Sequence, residues 1–296
     1  MATKKSNLLL IPYAYGGNTG LNIQRPKKQF DIYMKNCSVA CLSAVKNIGS
    51  DTDVALVTNA EVPEPYKSLL TNNGVLIISN EFDSFNFQPF VEKGIKVKWQ
   101  LAFYKLCALR YCIKNLDYQN YAYLDSDVFI QGSFENIWKE CSENILLYDF
   151  GGTCRDSMLD EMKAFDNQCL KTHWGGEFFA SSKQLAEKFS DECLTIYEEM
   201  IAKEFMTVQG DEFITSVAAA RLREYVKNAG AYIFRYWTGS FRLICNNYKT
   251  DDIAVLHLPA EKEQGILKLY ARYISRGIVP SKKKVWQIVH LNHRSL

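Results

Sequence analysis

The sequence predicts an α/β protein with a mixed central sheet flanked by helices: a main domain over residues 1–262 and a helical, basic and aromatic C-terminal extension over 263–296. Three observations predict it. Short apolar runs ending in polar residues alternate with stretches whose apolar positions recur every three or four residues, the pattern of strands alternating with amphipathic helices. A Gly-Gly-Asn turn signal follows the first apolar run, where a parallel sheet presents its C-terminal edge and ligands bind. A length of 296 residues with 47% hydrophobic and 23% charged content is enough to bury the core of such a fold.

Asn7 to Tyr15 is the first strand, ended by Gly16-Gly17-Asn18. From Gln29 to Asn47, Phe30, Tyr33, Met34, Cys37, Cys41, Leu42 and Val45 form a helical stripe. Asp53 to Asn59 is the second strand. After Pro63 and Pro65, a helix through Tyr66 to Thr71 leads to Asn73-Gly74 and a third strand, Val75 to Ser79. Lys98 to Lys114 reads as a helix with Leu101, Leu106, Leu109 and Ile113 on its apolar side, and it delivers the chain to the run Tyr121 to Ile130. Leu146 to Phe150 and Gly175 to Ser181 are strands, and Lys183 to Lys203 is a helix. Gln209-Gly-Asp-Glu-Phe213 opens a helix through Arg223, with Asp211 and Glu212 in the first turn, where the helix dipole favours carboxylates. Ala254 to Pro259 is the last short strand.

A net charge of +2 argues against a general polyanion binder, and no nucleic-acid module is visible. The charge is uneven, however. Lys262 to Leu296 carries eight Lys and Arg against one acid, Glu263, with Tyr270, Tyr273 and Trp286 interleaved. Such a segment either contacts an anionic membrane surface or packs on the core with a solvated basic face. Nine scattered cysteines without a Cys-x-x-Cys pair fit free thiols in a cytoplasmic protein, peripheral on the inner face of the membrane if the basic segment binds there. Asn7 to Tyr15 is too short and too aromatic for a signal peptide, and no run reaches the ~18–20 apolar residues of a membrane span.

The most informative residues are Tyr123-Leu-Asp125-Ser-Asp127-Val-Phe-Ile130. An apolar strand that presents two carboxylates one residue apart and then resumes as an apolar run is costly unless the carboxylates meet a cation. In extended geometry residues i and i+2 point to the same side, so both can reach one divalent ion. Oxygen ligands of this kind suit Mn²⁺ or Mg²⁺. Acids capping the turn after a strand are the plainer alternative.

With its flank Gln131-Gly-Ser-Phe-Glu-Asn-Ile-Trp138, this segment resembles the Asp-x-Asp block of GT-A glycosyltransferases, in particular the glycogenin and bacterial lipopolysaccharide galactosyltransferase family (glycosyltransferase family 8). The resemblance runs in order from about Leu8 to Gly265. It implies a metal-dependent transfer of a hexose, galactose or glucose favoured, from a UDP-sugar to an oligosaccharide or lipid-linked glycan acceptor, in bacterial surface polysaccharide or lipopolysaccharide synthesis. On the same resemblance Asp125, Asp127 and His257 hold the metal, Asp125 and Ser126 meet the donor, and Lys105 contacts it from the preceding helix. By their position alone, Tyr13 and Ala14 at the end of the first strand, with Asn59 at the end of the second, are expected to meet base and ribose. Asp211 lies under the sugar, and Glu177 borders the acceptor.

With retention, which is favoured, Asp211 stabilises the developing cation; with inversion, Asp211 or Glu177 is the general base. One departure bears on stereochemistry: the family usually has Asn-Ala-Gly where this chain has Trp174-Gly-Gly-Glu177. The alternatives are a haloacid dehalogenase-type phosphatase, whose nucleophile also lies in an Asp-x-Asp strand end, and a catalytically silent sugar-binding relative. The phosphatase fold normally carries that motif near its N-terminus, whereas 124 residues precede Asp125.

Overall fold

The computed structural model describes residues 5–16, 28–149, 156–166, 172–238 and 252–291. Gly17, Asn18, Phe150, Cys154, Cys169, Cys245, His293 and Arg294 lie outside the described residues. The elements are β1 (Asn7–Tyr13), α1 (Gln29–Asn47), β2 (Thr52–Thr58), α2 (Tyr66–Asn72), β3 (Leu76–Ser79), α3 (Gln88–Glu92), α4 (Tyr104–Asn115), β4 (Asn120–Leu124), β5 (Val128–Ile130) and α5 (Glu135–Glu140). They continue with β6 (Ile145–Asp149), α6 (Asp156–Phe165), β7 (Trp174–Ser182), α7 (Lys183–Ala202), α8 (Asp211–Arg221), β8 (Val226–Asn228), β9 (Ile233–Arg235), β10 (Val255–His257), α9 (Gly265–Arg276) and α10 (Lys282–Ile288).

Among the described residues the strands form two sheets, ordered β3-β2-β1-β4-β7-β6-β8 and β5-β10-β9. In the larger one β1, β2, β3 and β4 run parallel, whereas β7 is antiparallel to both β4 and β6, so the sheet is mixed as expected. β1 explains why its sequence is apolar without a break. Leu8 and Leu10 enter the cluster that includes α4, α7 and α8, while Leu9 and Ile11 enter the one that includes α1. A strand covered on both faces has no polar side to alternate with.

Pairing of β1 with β4 ends at Leu10 and Tyr123, while pairing with β2 continues to Tyr13. Pro12, which has no N–H, therefore sits where one neighbour has already left, and a gap opens at the C-terminal edge. The helix expected from Lys98 starts later. Trp99 has φ of 61°, which an α-helix forbids, so a 3₁₀ turn at Gln100–Phe103 precedes α4.

The expected boundary at residue 262 falls inside one apolar cluster. Ile266, Leu269, Val285, Trp286 and Val289 from α9, α10 and the residue after it pack with Val39, Phe129, Leu256 and Leu258. Trp286 Nε1 donates to buried Gln131 Oε1 at 2.9 Å, and Gln131 Nε2 donates to Ile253 O at 2.7 Å. The other face of the extension keeps Ile274 and Ile278 at 52% and 61% exposure. No helix among the described residues is long and apolar enough to cross a membrane. Cys37, Cys41, Cys107, Cys112, Cys141 and Cys193 are buried free thiols.

Trp286→Ala should cost about 3–5 kcal/mol in urea denaturation through the cavity it leaves and the loss of its hydrogen bond to Gln131. Ile274→Ser should stay within about 0.5 kcal/mol of wild type. Equal effects from the two changes would contradict this packing.

Candidate functional site

The site is built where one strand passes from the first sheet to the second. β4 ends at Leu124, paired with Phe178 of β7, and Asp125 N extends the ladder by donating to Glu177 O at 3.1 Å. The chain then bends through Ser126 and Asp127 and continues as β5, antiparallel to β10. Asp127 O accepts from Leu258 N at 2.8 Å, which ties the far end of the bend to the second sheet. The two carboxylates therefore converge through a bend anchored at both ends, not through the expected extended geometry. His257, the last residue of β10, pairs with Val128 and lies directly beside them.

Ligand atoms of Asp125, Asp127 and His257 all lie within 4.8 Å of one another. His257 Nε2 is 3.5 Å from Asp127 Oδ2 and 3.9 Å from Asp125 Oδ2. Asp127 Oδ2 also lies 2.8 Å from Lys262 Nζ, yet this buried oxygen has no partner in hydrogen-bonding geometry, as suits an oxygen directed at a cation. Two carboxylates and an imidazole form a donor set that fits Mn²⁺ or Mg²⁺. Burial alone would raise the Asp127 pKa, but Lys262 and His257 overcome it and hold the carboxyl well below the usual range. For His257 burial opposes the charge, and Asp127 with Glu177 outweighs it, lifting the imidazole to about 9.

Lys105, at the start of α4, is buried between carboxylates: its Nζ is 2.5 Å from Asp125 Oδ1, 2.9 Å from Asp211 Oδ2 and 3.0 Å from Gly176 O. Asp211 opens α8 after Gly210, whose φ of 71° a residue with a side chain would resist. Gly176 is needed for a different reason, since a Cβ there would lie 1.8 Å from Asp211 Oδ2. Burial pushes Asp211 up to about 6, Asp125 and Glu212 adding to it and Lys105 opposing.

Glu177, expected as a candidate base at the acceptor, is gripped instead. Its side chain has no exposed surface, Arg235 Nε and Nη2 donate to its two oxygens at 2.6 Å each, and its Oε1 lies 3.2 Å from His257 Nδ1. Both of its oxygens thus already accept a hydrogen bond from the guanidinium. Arg235 Nη2 also donates to Glu212 Oε1 at 2.8 Å, and Glu212 Oε2 pairs with His173 Nε2 at 2.7 Å.

Apart from the buried His257, these side chains line one cavity of about 710 Å³, within the range of small-molecule sites. Tyr13, Ala14, Gln29 and Tyr33 line one end, and Trp99, Val208, Gln209 and Ser157 also contribute to the wall. Tyr13 stacks on Tyr33 at 5.3 Å, and its buried hydroxyl has no hydrogen-bond partner among the described residues. Ser126 lines the cavity between the two aspartates. Asn59 is not among the described residues lining it: its side-chain amide accepts from Tyr15 N at 2.8 Å and donates to Tyr15 O at 3.1 Å, fixing the loop after β1.

Lys262, Arg235, Glu212 and His173 were missed as site residues. A signal existed for Arg235. A glutamate inside the apolar run Gly-Gly-Glu-Phe-Phe-Ala requires a buried cation, and Arg235 closes the apolar segment Tyr232-Ile-Phe. Lys262 carried no comparable mark, being one of eight basic residues in the C-terminal stretch.

Asp211→Asn yields a pH-dependent prediction. A carboxyl raised from 3.8 to about 6 by folding contributes stability that is intact below its unfolded pKa and is lost as pH rises through about 6. The stability of Asp211→Asn relative to wild type should therefore increase between pH 4 and 7, by on the order of 2 kcal/mol, and level off above. A pH-independent difference in urea denaturation would refute the assignment.

No family model matches the chain, and no curated protein matches it. Among solved structures, the crystal structure of mouse xyloside xylosyltransferase 1, apo form, matches 84% of this chain and 96% of its own at a TM-score of 0.53 and 10% identity. At that identity the likeness concerns the fold alone: the chain has a mixed α/β fold of the GT-A type, a central mixed sheet flanked by helices.

Proposed function

We propose that the chain is a metal-dependent glycosyltransferase that moves a hexose, galactose or glucose favoured, from a UDP-sugar to a saccharide acceptor. The observation that carries this reading is the Asp125, Asp127 and His257 cluster, whose two aspartates line a cavity at the C-terminal edge of a GT-A sheet. Mn²⁺ or Mg²⁺ held there would neutralise the diphosphate as it leaves. Lys262 beside Asp127 and Lys105 beside Asp125 place two ammonium groups where phosphate oxygens need charge. The Tyr13 and Ala14 end of the cavity takes the base, and its unpartnered hydroxyl offers a hydrogen bond. Ser126, on the cavity wall between the aspartates, is assigned to the donor as well.

With Glu177 enclosed, Asp211 is the carboxylate of the two that remains for the sugar. It stabilises positive charge at the anomeric carbon, in keeping with retention of configuration. The acceptor is an oligosaccharide or lipid-linked glycan, and the pathway, by resemblance, is bacterial surface polysaccharide or lipopolysaccharide synthesis. A cytoplasmic protein resting on the inner face of the membrane through Ile274, Ile278 and the basic side chains around them suits such an acceptor.

UDP at a hundredfold excess over Kd, with Mn²⁺, should raise the melting temperature by about 5 °C, corresponding to about 2.7 kcal/mol of linkage. EDTA or Asp127→Asn should abolish the shift. Hydrolysis of a phosphate monoester without any nucleotide-dependent shift would instead reinstate the phosphatase. For the membrane contact, wild type should sediment with phosphatidylglycerol vesicles at low salt and not with phosphatidylcholine vesicles. Retention of that binding by an Ile274→Asp, Ile278→Asp double variant would remove these side chains from it.

A further inference from the structure

Glu177 has a role in this site that its enclosure makes legible. Its Oε1 sits 3.2 Å from His257 Nδ1, and the opposite ring nitrogen is the one that faces Asp127 and Asp125. A carboxylate on one imidazole nitrogen fixes the tautomer and the ring plane, leaving the other nitrogen as a ligand. The backbone of the same residue accepts from Asp125 N at 3.1 Å, so Glu177 touches two members of the cluster at once.

We propose that Glu177, clamped by Arg235, is the positioning residue that aims His257 Nε2 at a divalent cation and holds the Asp125 backbone from which the neighbouring carboxylate ligand projects. This rests on the metal reading above and deepens it. With the imidazole neutral, as a metal ligand must be, a buried carboxylate contacting it alone would carry a large desolvation cost, which the bidentate Arg235 pairing offsets. Glu212 shares the guanidinium and is itself paired with His173, so the clamp is continuous with the first turn of α8 and with Asp211.

Sterics require the same arrangement. A Cβ on Gly175 would lie 1.9 Å from Glu177 Oε2 and 2.9 Å from Arg235 Nη2, so the clamp closes only over a glycine. The register of β6 against β7 shifts between Leu147 and Tyr148, opposite this segment, an irregularity of the kind that re-aims side chains near functional sites. Trp-Gly-Gly-Glu, the segment that departs from the resembling family, thus has a physical purpose: the glycine makes room and the glutamate holds the histidine.

The test is titration of the full chain with Mn²⁺ alone, following the electron paramagnetic resonance signal of the free ion, for wild type, Glu177→Asp, His257→Gln and the double variant. Glu177→Asp preserves the charge that Arg235 pairs and withdraws the carboxylate by one methylene. Each single change should weaken Mn²⁺ binding by about 10–100-fold, and the double variant should bind no more weakly than His257→Gln. A urea midpoint near wild type separates this from unfolding. If Glu177→Asp does not fold, Arg235→Lys, which loosens the clamp and leaves both carboxylates, should show the same loss. Wild-type affinity within about twofold in the singly changed glutamate variant, or losses that add in the double variant, would overturn the positioning role alone. Absence of Mn²⁺ binding by wild type would overturn it together with the metal reading.

Discussion

The bend from Asp125 to Asp127 is the constraint on which the rest of the site depends. Its first residue is hydrogen-bonded to β7 of the large sheet, and its last is hydrogen-bonded to the residue after β10 of the small one. Because both ends are fixed by ladders, the two carboxylates have little freedom. The strands that anchor them deliver Glu177 from one side and His257 from the other. A loop of the same sequence without those anchors would lose conformational freedom on binding a cation, and affinity with it. The junction places that cost in folding.

Concentrating charge at a buried junction creates the second problem the fold must solve. Asp125, Asp127, Glu177, Asp211 and Glu212 lie around one cavity, and each carries a cationic contact: Lys105, Lys262, Arg235 or a histidine. The division of labour is uneven. Arg235 meets Glu177 with a planar fork and locks it, whereas Lys105 and Lys262 approach as point charges on flexible stems. Flexible ammonium groups can turn toward a phosphate when a ligand enters, and a bidentate guanidinium stays with its carboxylate. Rigid pairing thus holds Glu177, and adaptable pairing holds Asp125, Asp127 and Asp211.

Much of this was legible beforehand, and the exceptions share a cause. Strand β1 was visible as an unbroken apolar run, helix α1 by its three- and four-residue spacing, and the segment around Asp125 as an apolar run from Tyr121 to Ile130. The Asp-x-Asp pair stood out because charge interrupts an otherwise apolar run. Trp99 breaks the expected helix with a left-handed backbone, and its side chain lies so close to Gly210 that a Cβ there would meet Trp99 Cβ at 3.0 Å, a contact between distant residues that no local pattern announces. Asn59 ends its strand in an amide, as a ribose contact would, but the loop after β1 is nearer and takes both of its hydrogen-bonding groups. The boundary drawn at residue 262 marked a change in charge, while the apolar cluster across it is defined by packing.

The sequence by itself determined the α/β class, the order of the principal strands and helices, and the residue types needed for a divalent cation. These follow from local patterns that any window of the chain displays. The tertiary structure alone decided which charges meet. Glu177 and Arg235 are 58 residues apart, Asp127 and Lys262 far more, and no spacing along the chain encodes their contact. It also decided that Glu177 meets Arg235 and His257 while Asp211 meets Lys105, because burial and neighbouring charge, not residue type, fix what a carboxylate can do.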